Sequence, residues 1–144
     1  MLVTLGAVTL GLSACSKPIP EVTIYGDGHS LNVPAARYTF PNGEEHVRIT
    51  DYGKAPTIKV QVGTDLLVDV PRELSTHAWV VAAFTLDPNG KATPLSGTGG
   101  AVHDTHSARL TAPPSNIANY FLQVAELRGA KQTGGWIVHV KVSG

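Results

Sequence analysis

A single cysteine, Cys15, stands among the 144 residues, so no disulfide can form within the chain. Stability has to come from packing rather than from covalent staples. Neither sign of charge is in excess, since 11 Lys and Arg balance 11 Asp and Glu. That balance excludes the strongly basic surface of a nucleic-acid binder, and it argues against electrostatic capture by anionic lipid. An apolar 3.6-residue period is missing as well. Beyond the first dozen residues none persists for three turns, which excludes a helical domain. Internal repeats and low-complexity tracts are absent.

What is present begins at the N-terminus. Leu2 to Leu12 is a nearly uncharged apolar run, too short to span a bilayer, and Ser13-Ala14-Cys15 follows it. Leu12-Ser13-Ala14-Cys15 resembles the lipobox of bacterial lipoproteins. The resemblance implies that the Cys15 thiol is diacylated, that residues 1–14 are removed as a signal peptide, and that Cys15 becomes the new N-terminus. A signal of this kind opens on basic residues, and Met1-Leu2-Val3 has none. The expected start codon therefore lies upstream. The expected location is the cell membrane, lipid-anchored on the extracytoplasmic face. Two acyl chains suffice for stable anchoring where one does not. Residues 15–20 form the lipidated cysteine and a tether stiffened by Pro18 and Pro20.

The roughly 130 residues beyond Cys15 suffice for one domain with a real core. Short β-branched runs alternate with turn signals along all of it. Val22 to Tyr25 and Ser30 to Val33 flank Gly26-Asp27-Gly28, and Ala36 to Phe40 and Glu44 to Thr50 flank Pro41-Asn42-Gly43, which predicts two hairpins. Thr57 to Val62 alternates as a strand with one buried face, and Leu66 to Val70 is ended by Pro71. Ala78 to Leu86 is apolar on both faces, as a central or covered strand would be, and Asp87-Pro88-Asn89-Gly90 turns it back. Ser107 to Thr111, Tyr120 to Leu127 and Trp136 to Val142 complete the set, the last two joined by a Gly-rich loop. The pattern predicts an all-β domain over residues 21–144.

Asn116-x-Ala118-x-Tyr120-x-Leu122 resembles the Asp-x-Ala-x-Tyr-x-Cys stretch of strand F in immunoglobulin folds, with Leu122 in place of the cysteine. Trp79 stands where the strand C tryptophan packs, and Val68 could replace the strand B cysteine. The resemblance implies an immunoglobulin-like antiparallel sandwich over about residues 57–142, preceded by a β-hairpin extension. It also implies a Tyr120 hydroxyl bonded to backbone and an apolar pin of Trp79, Leu122 and Val68. Over nearly the whole mature chain, short stretches are similar to an uncharacterised family of actinobacterial secreted lipoproteins. They include Pro20-Glu21-Val22-Thr23, the segment around Tyr38, Val62-Gly63-Thr64, Val70-Pro71 and Ala78-Trp79-Val80-Val81. That family often carries a cysteine pair starting just after the tyrosine, where this chain has Thr39. The resemblance implies an envelope location and no particular activity.

No catalytic constellation emerges, and the expectation is a protein that is not an enzyme and takes no cofactor or metal. His103-Asp104-x-His106 places three potential ligands in a polar loop, but no helix fixes their spacing. His139 is expected on the wet face of the last strand. Ser96-Gly97-Thr98-Gly99-Gly100 is neither a nucleophile elbow nor a phosphate loop, since no helix follows it. Gly97-Thr98-Gly99-Gly100 does match the Gly-x-Gly-Gly loop of the chagasin-like inhibitors of papain-type cysteine proteases. The other two inhibitor motifs have no counterpart in Arg72 to His77 or Arg128 to Gly135. The preferred expectation is a binding or accessory module for an envelope protein, glycan or lipid. Its candidate loops are Leu74 to His77, Ser96 to His106 and Arg128 to Gly135, with His77, Gly97, Thr98, Gly99, Gly100 and Trp136 as candidate contacts. A structural or assembly-supporting lipoprotein is the competing expectation.

Overall fold

A computed structural model describes residues 17–95 and 102–144. Alternating apolar residues drive nearly all of it into strands. The first hairpin pairs β1 (Glu21–Gly26) with β2 (His29–Pro34) through a turn in which Asp27 and Gly28 take φ of 52° and 72°. The second pairs β3 (Arg37–Thr39) with β4 (Glu45–Val47). A 3₁₀ turn, Tyr52–Lys54, precedes β5 (Thr57–Gln61) and β6 (Leu66–Asp69). A one-turn helix, α1 (Arg72–Ser75), then leads into β7 (Ala78–Leu86). The remainder is β8 (Ala92–Pro94), β9 (Ser107–Leu110), β10 (Asn119–Arg128) and β11 (Lys131–Ser143).

These strands form an all-β sandwich of two sheets. One sheet runs β2-β1-β6-β9 and the other β4-β3-β11-β10-β7-β8. In the second sheet β11 is the spine. One edge pairs with β10 throughout, while the other pairs with β3 at Gly134 and Gly135 and with β5 from His139 to Ser143. The β5–β11 pair is parallel, the one departure among the paired strands from the antiparallel arrangement expected. The hairpin β1–β2 extends the smaller sheet by pairing β1 with β6.

Between the sheets lie Val22, Ile24, Val68, Leu122, Val124 and Val140, all fully buried, with Trp79 and Trp136. Burying an indole is favourable only if its N–H finds an acceptor. Trp79 Nε1 donates to the Thr105 carbonyl and Trp136 Nε1 to the Pro20 carbonyl, each at 3.0 Å. The second bond straps the tether onto the sandwich.

Three expectations need correction. Arg128 to Gly135 is not a loop: β10 and β11 continue to a two-residue turn at Gly129 and Ala130, with Gly129 at φ 63°. Gly134 serves the strand by leaving room for the Trp136 ring, because a Cβ there would stand 2.6 Å from it. Trp136 itself, expected at a binding loop, is a wholly buried core residue. Finally, Trp79 lies opposite Glu126, while Leu122 lies opposite Ala83. Trp79, Leu122 and Val68 share one core, but Trp79 sits four positions along β7 from the residue facing Leu122.

Candidate functional site

The β6–β7 connection and the β10–β11 turn meet at the end of the sandwich where the tether enters. Pro71 ends the β6 run, and α1 folds over Leu74, which is fully buried and fixes the helix against the core. This turns Arg72 and Glu73 outward and leaves His77 half-buried. On the other side β3 delivers Tyr38, and Phe40 follows just after its end, the two packed edge to face with centroids 5.2 Å apart. Tyr38 also meets the Trp136 ring at 6.3 Å. Between the two sides opens a cleft of about 470 Å³, lined among others by Lys17, Tyr38, Phe40, Arg72, His77 and Arg128.

Behind the cleft lies a buried charge. Along β10 the inward residues are Tyr120, Leu122 and Val124, and the next in phase is Glu126, with no exposed surface. A carboxylate in that position requires a charged partner. Arg128 supplies it, donating from Nε to Glu126 Oε1 at 2.7 Å and from Nη2 to the Tyr38 hydroxyl at 3.2 Å. Burial works against the guanidinium's charge, but the bond and charge of Glu126, joined by Tyr38, prevail and hold Arg128 above its ordinary range. Burial first, and the Glu126 charge second, push the Tyr38 phenol up in turn. Residues opposite Glu126 are irregular: Glu126 pairs with Gly134 and Leu127 with Gln132, leaving Thr133 as the extra residue of a bulge. Glu126 Oε2 and Thr133 Oγ1 are both buried and find no hydrogen-bond partner among the described residues.

Of the candidate contacts, His77 lines this cleft. Arg128, which opened the last candidate loop, lines it too, from the end of a strand rather than from a loop. Gly97, Thr98, Gly99 and Gly100 lie outside the described residues, as does Cys15. Just after that stretch, Val102 exchanges both backbone hydrogen bonds with Trp79, at 2.7 and 3.1 Å. His103, Asp104 and His106 are exposed, and among the described residues no three His, Cys, Asp or Glu side chains converge as a metal site would. His139 is half-buried with its ring stacked on Phe121 at 4.9 Å, and burial, then the Lys141 charge, lower its pKa. Asn116 is exposed in a turn before β10. Tyr120 is buried, yet its hydroxyl makes no hydrogen bond among the described residues, so the backbone bond of a tyrosine corner is not made.

Sequence reasoning overlooked Glu126. The signal was available: it falls in the period-2 phase of Tyr120, Leu122 and Val124, with Arg128 two positions on. Tyr38 and Phe40 gave no such signal, because their role depends on β3 docking beside β11. Comparison with protein-family models, with curated proteins and with solved structures finds no match to this chain.

Proposed function

We propose that this chain is a lipid-anchored, extracytoplasmic binding module without chemistry of its own, and that its ligand enters the tether-side cleft. The observation that carries this reading is the pairing of aromatic and cationic side chains on rigid elements. Tyr38 and Phe40 offer ring faces and edges, while Arg72, Arg128 and Lys17 outnumber Glu73 at the rim. Sites that bind without reacting need such convergence of apolar wall and a few fixed polar groups. The one deep carboxylate, Glu126, is tied to Arg128 and so presents the guanidinium rather than acting as a free base. The ligand fitting this cleft is an envelope component with an anionic group beside an apolar or ring-shaped portion.

Anchoring rests on the lipobox resemblance at Cys15 and is tested by intact mass of membrane-extracted protein. A chain beginning at acylated Cys15 is expected, and an unmodified chain beginning at Met1 would overturn it. Ligand capture is tested with a photo-crosslinker at Thr76, exposed on the cleft rim. One saturable crosslinked partner, lost in Arg72→Ala, is expected. Diffuse neighbours insensitive to Arg72→Ala would instead favour a scaffolding role.

A further inference from the structure

The outer face of the larger sheet carries a second concave site, remote in character from the cleft. Registry across β7, β10 and β11 places three rows there. Phe84, Phe121 and His139 form the first row, Ala82, Gln123 and Ile137 the second, and Val80, Ala125 and Gly135 the third. The first row is a continuous stack: Phe84 lies 5.9 Å from Phe121 and Phe121 4.9 Å from His139. Tyr52, from the 3₁₀ turn, stands edge-on above it at 5.6 Å from Phe84 and 5.5 Å from Phe121. Asp51 fixes that turn by accepting a hydrogen bond from the Gly53 amide at 2.9 Å. Tyr52 thereby becomes a wall over the sheet instead of a free surface side chain.

Beside this wall opens a hollow of about 280 Å³, lined by Tyr52, Gln123, Ile137, Gly135, Gln132 and Arg37. Its floor is Gly135. A methyl group added there would meet Gln132 Nε2 at 3.2 Å and Gln123 Nε2 at 4.0 Å, so the two amides converge on the space a side chain would fill. Gln132 uses one N–H on the Gly134 carbonyl at 3.4 Å, and the Gln123 side chain makes no hydrogen bond among the described residues. Each amide presents a carbonyl acceptor and N–H donors side by side. The charge at the rim is balanced, because Arg37 pairs with Glu45 at 3.2 Å.

We propose that this hollow binds a neutral carbohydrate. A ligand that satisfies adjacent donors and acceptors on two amides must itself offer both, as vicinal hydroxyls do. A ligand lying against the Tyr52 ring needs an apolar face as well, which a sugar ring has and a free polyol or ion lacks. The balanced charge disfavours an acidic sugar or a phosphate, which the tether-side cleft suits better. The hollow shares no lining residue with that cleft, so either site can stand if the other falls.

The test is titration of the full mature chain with neutral oligosaccharides of glucose, N-acetylglucosamine, galactose and arabinose, observed through side-chain amide resonances. The chain has three glutamines, so Gln123 and Gln132 can be assigned against Gln61. One oligosaccharide is expected to shift both in a saturable way while Gln61 stays put. Gly135→Ala puts a methyl group on the floor between the two amides and presses only on the end of a flexible side chain, and it should weaken binding about tenfold or more with the fold unchanged. Gln132→Ala, at an exposed position, should do the same. The proposal is overturned if no oligosaccharide shifts these resonances at millimolar concentration. It is equally overturned if Gly135→Ala binds as well as the parent, or if an extended peptide shifts the amides and sugars do not.

Discussion

Tyr120 shows how far one side chain can depart from the role its surroundings imply. It is buried at the start of β10, where a corner tyrosine would bond back to the chain, yet its hydroxyl is unbonded among the described residues. Removing an unbonded hydroxyl costs little, so Tyr120→Phe should change stability by less than about 0.5 kcal/mol at pH 7, against about 1 kcal/mol for a bonded one. The same phenol matters at high pH. Burial, helped by the Asp65 charge, pushes its pKa up to about 12, from 10.0. A group whose folded pKa is raised stabilises fully below its unfolded value and loses that contribution as pH rises through the folded one. The parent should therefore lose roughly 2 kcal/mol or more between pH 10 and 12. Denaturant midpoints across that range should fall less in Tyr120→Phe. Glu126 and Arg128 make a sharper pair. Arg128→Met strands a fully buried carboxylate and should cost about 3 kcal/mol or more, whereas Arg128→Met with Glu126→Gln should recover much of it. Additive losses in the double variant would show that the two do not act as a unit.

At the level of elements, strand positions were legible because period 2 is a strong signal, and what failed was the meaning of glycine. Gly134 and Gly135 read as a loop, since glycine normally interrupts a strand. Inside β11 each has a tertiary reason that no local pattern shows. One lies under the Trp136 ring and the other floors the outer hollow. Gly134→Ala places a methyl within 2.6 Å of a ring that is wholly buried and cannot swing away. Overpacking of this kind should cost about 1 to 3 kcal/mol and shift tryptophan emission, while Gly135→Ala should do neither. Equal stability of the two variants would mean the ring has room to move. The helix α1 escaped sequence reading for a different reason. A single turn has no period to detect, and Leu74 is its one anchor in the core. So the sandwich could be foreseen from alternation, but the cleft could not, because its walls come from a one-turn helix and a three-residue strand.

On the scale of the whole molecule, the lipid anchor proposed above would let the tether decide which end of the sandwich meets the membrane. Ile19 packs on the core and the Pro20 carbonyl is held by Trp136, so only three residues separate Cys15 from the body. The four Cα-to-Cα steps from Cys15 to Ile19 span at most about 14 Å. With Cys15 acylated as proposed, the tether-side cleft, which Lys17 helps to line, would face lipid at close range, and the domain could not stand away from it. The β7–β8 turn lies at the other end of β7, nine residues along the strand. This arrangement can be read with two single cysteines, Thr76→Cys at the cleft rim and Asn89→Cys in that distal turn, both at exposed positions. In membranes, a bulky maleimide should label position 89 readily and position 76 slowly. A long Gly/Ser insertion between Ser16 and Lys17 should raise the rate at 76 and leave 89 unchanged, since flexible linkers add reach without altering the body. Equal labelling at both positions before insertion would mean the cleft looks outward, and its ligand would then have to come from the cell wall side rather than from the membrane surface.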